Sequence, residues 1–159
     1  MSRHTIRYSF LLILSCMSMV VSSASSCDKN NGITKKESNT SMANSKIKIK
    51  AGSKTFAATL YANEASKVFK AMLPLTLDMK DYNGNEKKYD FSKAFPTDNH
   101  NPKQINTGDL MIWSGNTLVL FYKSFPTSYS YTMLGKVDDV IGLAEVLGTG
   151  NVTVTFENE

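Results

Sequence analysis

From Lys46 to Phe156 the chain keeps returning to a two-residue period, and a chain written that way has to fold mainly as strands. Lys46-Ile47-Lys48-Ile49-Lys50 alternates strictly, which places the isoleucines on one face and the lysines on the other. Ala51-Gly52-Ser53 is a turn, and Lys54–Leu60 predicts the partner strand of a hairpin. Leu75–Met79 alternates again, Asn83-Gly84 signals a turn, and Lys87–Phe91 predicts the returning strand. Gly108–Trp113, Thr117–Lys123, Met133–Val137 and Asn151–Phe156 complete the set. Within Thr117–Lys123, Leu118, Leu120 and Tyr122 face one way while Val119 and Phe121 face the other.

Two stretches break the period. Asn63 offers an N-cap oxygen, Glu64 suits a helix N-terminus, and Val68, Phe69, Met72 and Leu73 recur at helical spacing up to Pro74. Asp138-Asp139 predicts the cap of a second helix with Val140, Ile141, Ala144 and Leu147 as its apolar face, stopped at Gly148. Residues 92–107, with Pro96, Pro102, Asn99 and Asn101, predict a long loop, and 126–132 a Ser/Tyr-rich excursion. About eight short strands and two helices define a mainly β, α+β chain, and a closed barrel capped by helices is the expected architecture.

The amino terminus has a different purpose. Arg3, His4 and Arg7 precede the apolar run Tyr8–Val21, which is followed by Ser22-Ser23-Ala24-Ser25-Ser26 and Cys27. A basic start, a short apolar centre and small residues before a cleavage point predict a secretory signal over 1–26. The run is short of the ~20 residues of a membrane span. Small residues before a cysteine resemble the lipoprotein signal, in which Cys27 would be diacylated and become the mature N-terminus. Ala24 stands where that signal usually has leucine. The alternative is a plain secretory signal cut near Ala24. Residues 27–45, rich in Asn, Ser, Thr and Lys, predict a flexible linker, and 46–159 the folded domain. The expected location is across the inner membrane, lipid-anchored in the bacterial cell envelope on the periplasmic or outer-membrane side, with the membrane touched through the lipid alone.

Composition removes several kinds of chemistry. Of 18 basic residues in a 159-residue chain of net charge +4, the arginines are Arg3 and Arg7 alone, leaving 16 lysines against 14 acids after the signal. So weak and dispersed a positive charge does not describe a nucleic-acid binder. No mechanism that needs a guanidinium fits the folded part. His100 is the one histidine outside the signal and Cys16 the one cysteine besides Cys27, so neither a metal-binding histidine cluster nor an internal disulfide is expected. No nucleophile elbow, phosphate-binding glycine loop or zinc-protease motif occurs. Asp78 and Asp81 flank a predicted turn and read as solvated carboxylates, and His100 as a loop residue. No cofactor, metal or catalytic residue is expected.

The aromatics carry more information. Trp113, Phe121, Tyr122, Phe125, Tyr129 and Tyr131 fall within about twenty residues. Tyr129 and Tyr131, among serines and threonines, suit a recognition loop, although packing explains any single one of these rings better.

Leu73-Pro74-Leu75-Thr76-Leu77, Thr107-Gly108-Asp109-Leu110, Leu118-Val119-Leu120-Phe121-Tyr122, Thr127–Thr132 and Gly135-Lys136-Val137 together resemble a bacterial cyclophilin-like family, divergent relatives of the cyclophilin peptidyl-prolyl isomerases. The resemblance implies an eight-stranded antiparallel barrel with a helix at each end. It implies no isomerase machinery, because the Phe-His-Arg segment of true cyclophilins is replaced around Lys88-Tyr89-Asp90-Phe91, and lysine lacks the planar, multi-donor guanidinium. It carries over Phe121 as a groove phenylalanine and Trp113 as part of the opposite wall. The expected function is a non-catalytic module that binds a peptide or small ligand between Trp113 and Phe121, edged by Tyr129 and Tyr131. A weak prolyl isomerase using His100 or a lysine, and a purely structural envelope lipoprotein, are the alternatives.

Overall fold

The structure is a computed structural model and describes residues 43–159. The expected signal, Cys27 and nearly all of the expected linker lie outside the described residues. The alternating segments form strands β1 (Ser45–Ala51), β2 (Lys54–Leu60), β3 (Leu75–Tyr82), β4 (Glu86–Asp90), β5 (Asn99–His100), β6 (Gln104–Ile105), β7 (Asp109–Trp113), β8 (Thr117–Phe121), β9 (Phe125–Pro126), β10 (Tyr131–Val137) and β11 (Val152–Asn158). Helices α1 (Glu64–Ala71) and α2 (Leu143–Leu147) interrupt them.

The ring runs β2-β1-β11-β3-β4-β8-β7-β10 and closes because β10 also pairs with β2. Every pairing is antiparallel, so the result is the expected closed eight-stranded barrel with two helices. In β1, Ile47, Ile49 and Ala51 are buried while the lysines stay in water. Closure depends on β10 changing partners. Its register slips between Met133 and Gly135, after which Gly135 faces Leu60 of β2. A Cβ on Gly135 would overlap the Thr59 carbonyl and lie 2.9 Å from the Leu60 Cα; only glycine lets the two backbones approach so closely.

Asn63 caps α1, accepting the Ser66 N–H at 2.9 Å, and donates through Nδ2 to the Met133 carbonyl at 2.8 Å. The buried face differs from the expected stripe. Ala65, Ser66 and Phe69 point inward, whereas Val68 and Met72 are exposed. Phe69 meets Phe156 edge-on at 5.4 Å. The second helix also departs from expectation. It starts at Leu143 after a left-handed Gly142, and Ile141 is 82% exposed. Asp138 does not cap it: its carboxylate takes Lys46 Nζ at 2.7 Å and the Thr59 hydroxyl at 2.6 Å. Asp139 instead accepts the Ile141 N–H within the preceding turn.

The expected 92–107 loop contains the short strands β5 and β6, and Tyr131 belongs to β10 rather than to a loop. Asp78 and Asp81 both lie in β3 and are not turn residues. Asp78 accepts the Thr153 hydroxyl across the β3–β11 pair at 2.6 Å, and Asp81, partly exposed, joins a cluster around a lysine that points into the barrel. There Lys87, fully buried, donates to Asp81 Oδ1 at 2.6 Å and to the carbonyls of Gly148 (2.8 Å) and Gly150 (2.6 Å). The Tyr122 hydroxyl donates to the same Asp81 oxygen at 2.7 Å.

Candidate functional site

The inward residues of β7, β8 and β10 fill the barrel, and their outward residues build a second, smaller apolar layer. It comprises Ile105, Met111, Val119, Phe121 and Tyr131, with Phe125 and Met133 packed against it. A two-residue ribbon, β6 paired with β9, brings Ile105 opposite Phe125 over this face. Phe121 meets Phe125 at 5.7 Å and Tyr131 edge-on at 5.7 Å.

Beside this layer lies a groove of about 230 Å³. Its lining includes Tyr82, Asn85, Glu86, Lys88, Thr117 and Val119, together with Trp113, Phe125, Tyr129 and Tyr131. The period of β4 explains the polar contribution. Lys87 and Tyr89 turn inward, so Glu86, Lys88 and Asp90 turn outward. Among the expected site residues, Trp113 (41% exposed) and Tyr129 (64%) face solvent at the groove, and Tyr131 lines it while nearly buried. Phe121 does not reach the surface. It is wholly buried beneath Phe125 and Tyr131, and Phe125 stands in the groove lining in its place. The physical reason is the ribbon: β9 folds Phe125 back over β8, and the end of that strand is covered.

Two further groups define the electrostatics. Burial pushes the Glu86 carboxyl up to about 7, with the charge of Asp81 adding to the shift and Lys88 opposing it. Burial likewise raises the Tyr131 hydroxyl, and Glu86 and Tyr129 add to the shift. Lys88 Nζ sits 3.3 Å from Asp90 Oδ2 and 5.2 Å from the centre of the Tyr82 ring. Hydrogen bonds from Thr117 and Lys88 hold Asp90 below the ordinary carboxylate range. His100 lies opposite Tyr131 on β5, 3.5 Å from Asp98 and mostly exposed, outside the groove lining.

Glu86, Lys88 and Tyr82 escaped the sequence reading. The outward parity of β4 was the available signal, but it appears only once Lys87 is recognised as an inward residue, which a lysine rarely is. Among the described residues no three His, Cys, Asp or Glu side chains gather as metal ligands would. No helix among them is long and apolar enough to cross a membrane.

A closed antiparallel barrel of eight strands with an aromatic groove on its outer face defines a class of small barrel proteins. Within that class the chain belongs to the cyclophilin-like family, whose family model matches residues 49–157. No curated protein is significantly similar in sequence. Among solved structures, a hypothetical protein from Archaeoglobus fulgidus, determined in solution, is similar with a TM-score of 0.55 at 20% identity. The match covers 72% of this chain and 95% of that one, and at that identity the likeness is one of fold.

Proposed function

We propose that the chain is a binding module anchored in the bacterial cell envelope through a lipid on Cys27, and that it holds a peptide segment or small ligand in the groove of Trp113, Tyr129 and Tyr131 without turning it over. The observation that carries this reading is the groove itself, open, aromatic and served by a single cation, Lys88, that Asp90 already engages. Prolyl isomerisation has a barrier of about 18–20 kcal/mol, and lowering it electrostatically takes a fixed donor aimed at the twisting amide. An ammonium tied to its own carboxylate is poorly placed for that. Phe121 supports the groove from beneath and makes no ligand contact in this reading.

Amide shifts of the 15N-labelled protein, followed against a library of proline-containing peptides, test the site. Movements centred on Trp113, Tyr129 and Tyr131 are expected, and movements scattered elsewhere defeat it. The second reading, a weak isomerase, is favoured by the position of Lys88 in the lining. A coupled isomerisation assay separates the two: no acceleration above background is expected, and turnover that Lys88→Met abolishes establishes the enzyme. For the anchor, Cys27→Ser is expected to move the protein from the membrane to the soluble fraction.

A further inference from the structure

Two acceptors in the groove lack a donor among the described residues. No hydrogen bond reaches the Glu86 carboxyl among the described residues, and the neighbouring cation, Lys88, is engaged by Asp90 at 3.3 Å. Asn85 lines the same groove, and its buried Oδ1 has no partner among the described residues. Buried acceptors ordinarily find donors, and an exception calls for an explanation. Around them stand the faces and edges of Tyr82, Trp113, Tyr129 and Tyr131, and aromatic faces attract cations. The Tyr82 ring already receives one ammonium, that of Lys88. At about 230 Å³ the groove is below the ~300 Å³ at which pockets for drug-sized ligands begin, and matches a single long side chain.

We propose that this groove takes an organic cation of side-chain size, a primary ammonium or guanidinium on a flexible carbon chain, with its charged head on the Glu86 carboxylate and its chain against Trp113 and Tyr129. The proposal rests on the groove being a binding site and names the chemistry of what it binds. A lysine or arginine side chain of a peptide and a free alkylamine share that chemistry. Binding is coupled to ionisation of Glu86. The groups that face the carboxyl are Lys88 on its own strand, Asp81 and Tyr82 on β3, Tyr122 at the end of β8, Tyr129, and Tyr131 on β10. Arrival of the cation releases the proton that burial retains.

The test uses the 15N-labelled full chain in neutral detergent, titrated with N-acetyl-lysine methylamide, the arginine equivalent, the neutral norleucine equivalent and butylamine. The lysine and arginine probes are expected to shift Glu86, Trp113 and Tyr129, and the norleucine probe to bind at least about tenfold more weakly, as loss of a charge-assisted hydrogen bond implies. Butylamine binding as well as the lysine probe assigns a free amine; weaker binding assigns a peptide side chain, and both uphold the cation. Affinity for the lysine probe should climb between about pH 6 and pH 8, because the ammonium stays charged while Glu86 ionises, and Glu86→Gln should remove both the climb and about tenfold of the affinity. Should that variant fail to fold, the pH profile of the unaltered protein still decides. Norleucine binding as tightly as lysine, or a flat pH profile, overturns the cation proposal and leaves the groove intact as a site. Proline peptides moving these amides while no cation does has the same effect, and silence from every probe overturns both readings.

Discussion

Lys87 shows how a charge is made tolerable inside a barrel. Its ammonium has three donors, and three acceptors meet them: Asp81 Oδ1, Gly148 O and Gly150 O. The Tyr122 ring lies 5.0 Å from the same nitrogen. Burial and the Asp81 hydrogen bond in turn push the Tyr122 hydroxyl up to about 12. Lys87→Met should lower stability by about 1–3 kcal/mol in chemical denaturation, because it removes the donor that Asp81 and two carbonyls share, though these acceptors keep some access to water. Among the shifted carboxyls, Asp81 and Glu86 give opposite pH signatures. Hydrogen bonds from Lys87 first, then Tyr122, hold Asp81 below its ordinary value. A depressed folded-state pKa contributes stability above the unfolded value and loses it as pH falls through the folded one. Glu86 is raised from 4.5 to about 7, so its contribution is complete below 4.5 and fades as pH rises through about 7. Urea midpoints should therefore show Glu86→Gln gaining on the unaltered protein between about pH 5 and pH 8; an unchanging difference would refute the assigned ionisation.

At the scale of elements, the caps and the crossover do the positioning. Asn63 serves two partners at once, the Ser66 N–H and the Met133 carbonyl, and so ties α1 to the strand that also carries Tyr131. Asn63→Ala should cost about 1–2 kcal/mol, a full cap plus an orphaned carbonyl, read as a lower thermal midpoint. Gly135→Ala should be more damaging than its single methyl suggests, since the added carbon meets the β2 backbone rather than a side chain that can move; reduced soluble yield and lost β10–β2 amide protection are the expected signs. The helix that begins at Leu143 illustrates the limit of local patterning. Asp138-Asp139 satisfies every capping preference, yet Lys46 of β1 and Thr59 of β2 claim Asp138, and the chain turns once more before becoming helical.

For the whole molecule, stability is expected to follow the ring. Hydrogen exchange should be slowest in β7 and β8, whose inward side chains are wholly buried, and fastest in the two-residue strands β5, β6 and β9, which hold few bonds. Uniform protection of β5 and β7 would contradict that order. The barrel was legible from the sequence because period-two burial is local: Ile47 and Ile49, or Leu118 and Leu120, declare their face without reference to anything distant. The aromatic content of the groove was legible for the same reason. Its membership was not. Whether Phe121 or Phe125 reaches the surface depends on a ribbon formed between residues 104–105 and 125–126, a pairing that no local preference encodes.

The sequence by itself determined that residues 43–159 are a barrel of short strands with neither a cysteine nor an arginine among them, because alternation, turn residues and composition are properties of neighbours along the chain. Only the tertiary structure decided that a lysine belongs in the interior, that Phe121 is covered, and that Glu86 shares a groove with Trp113 and Tyr129. Those outcomes are set by which strands meet across the ring, where burial and charge act through space between residues the chain keeps far apart.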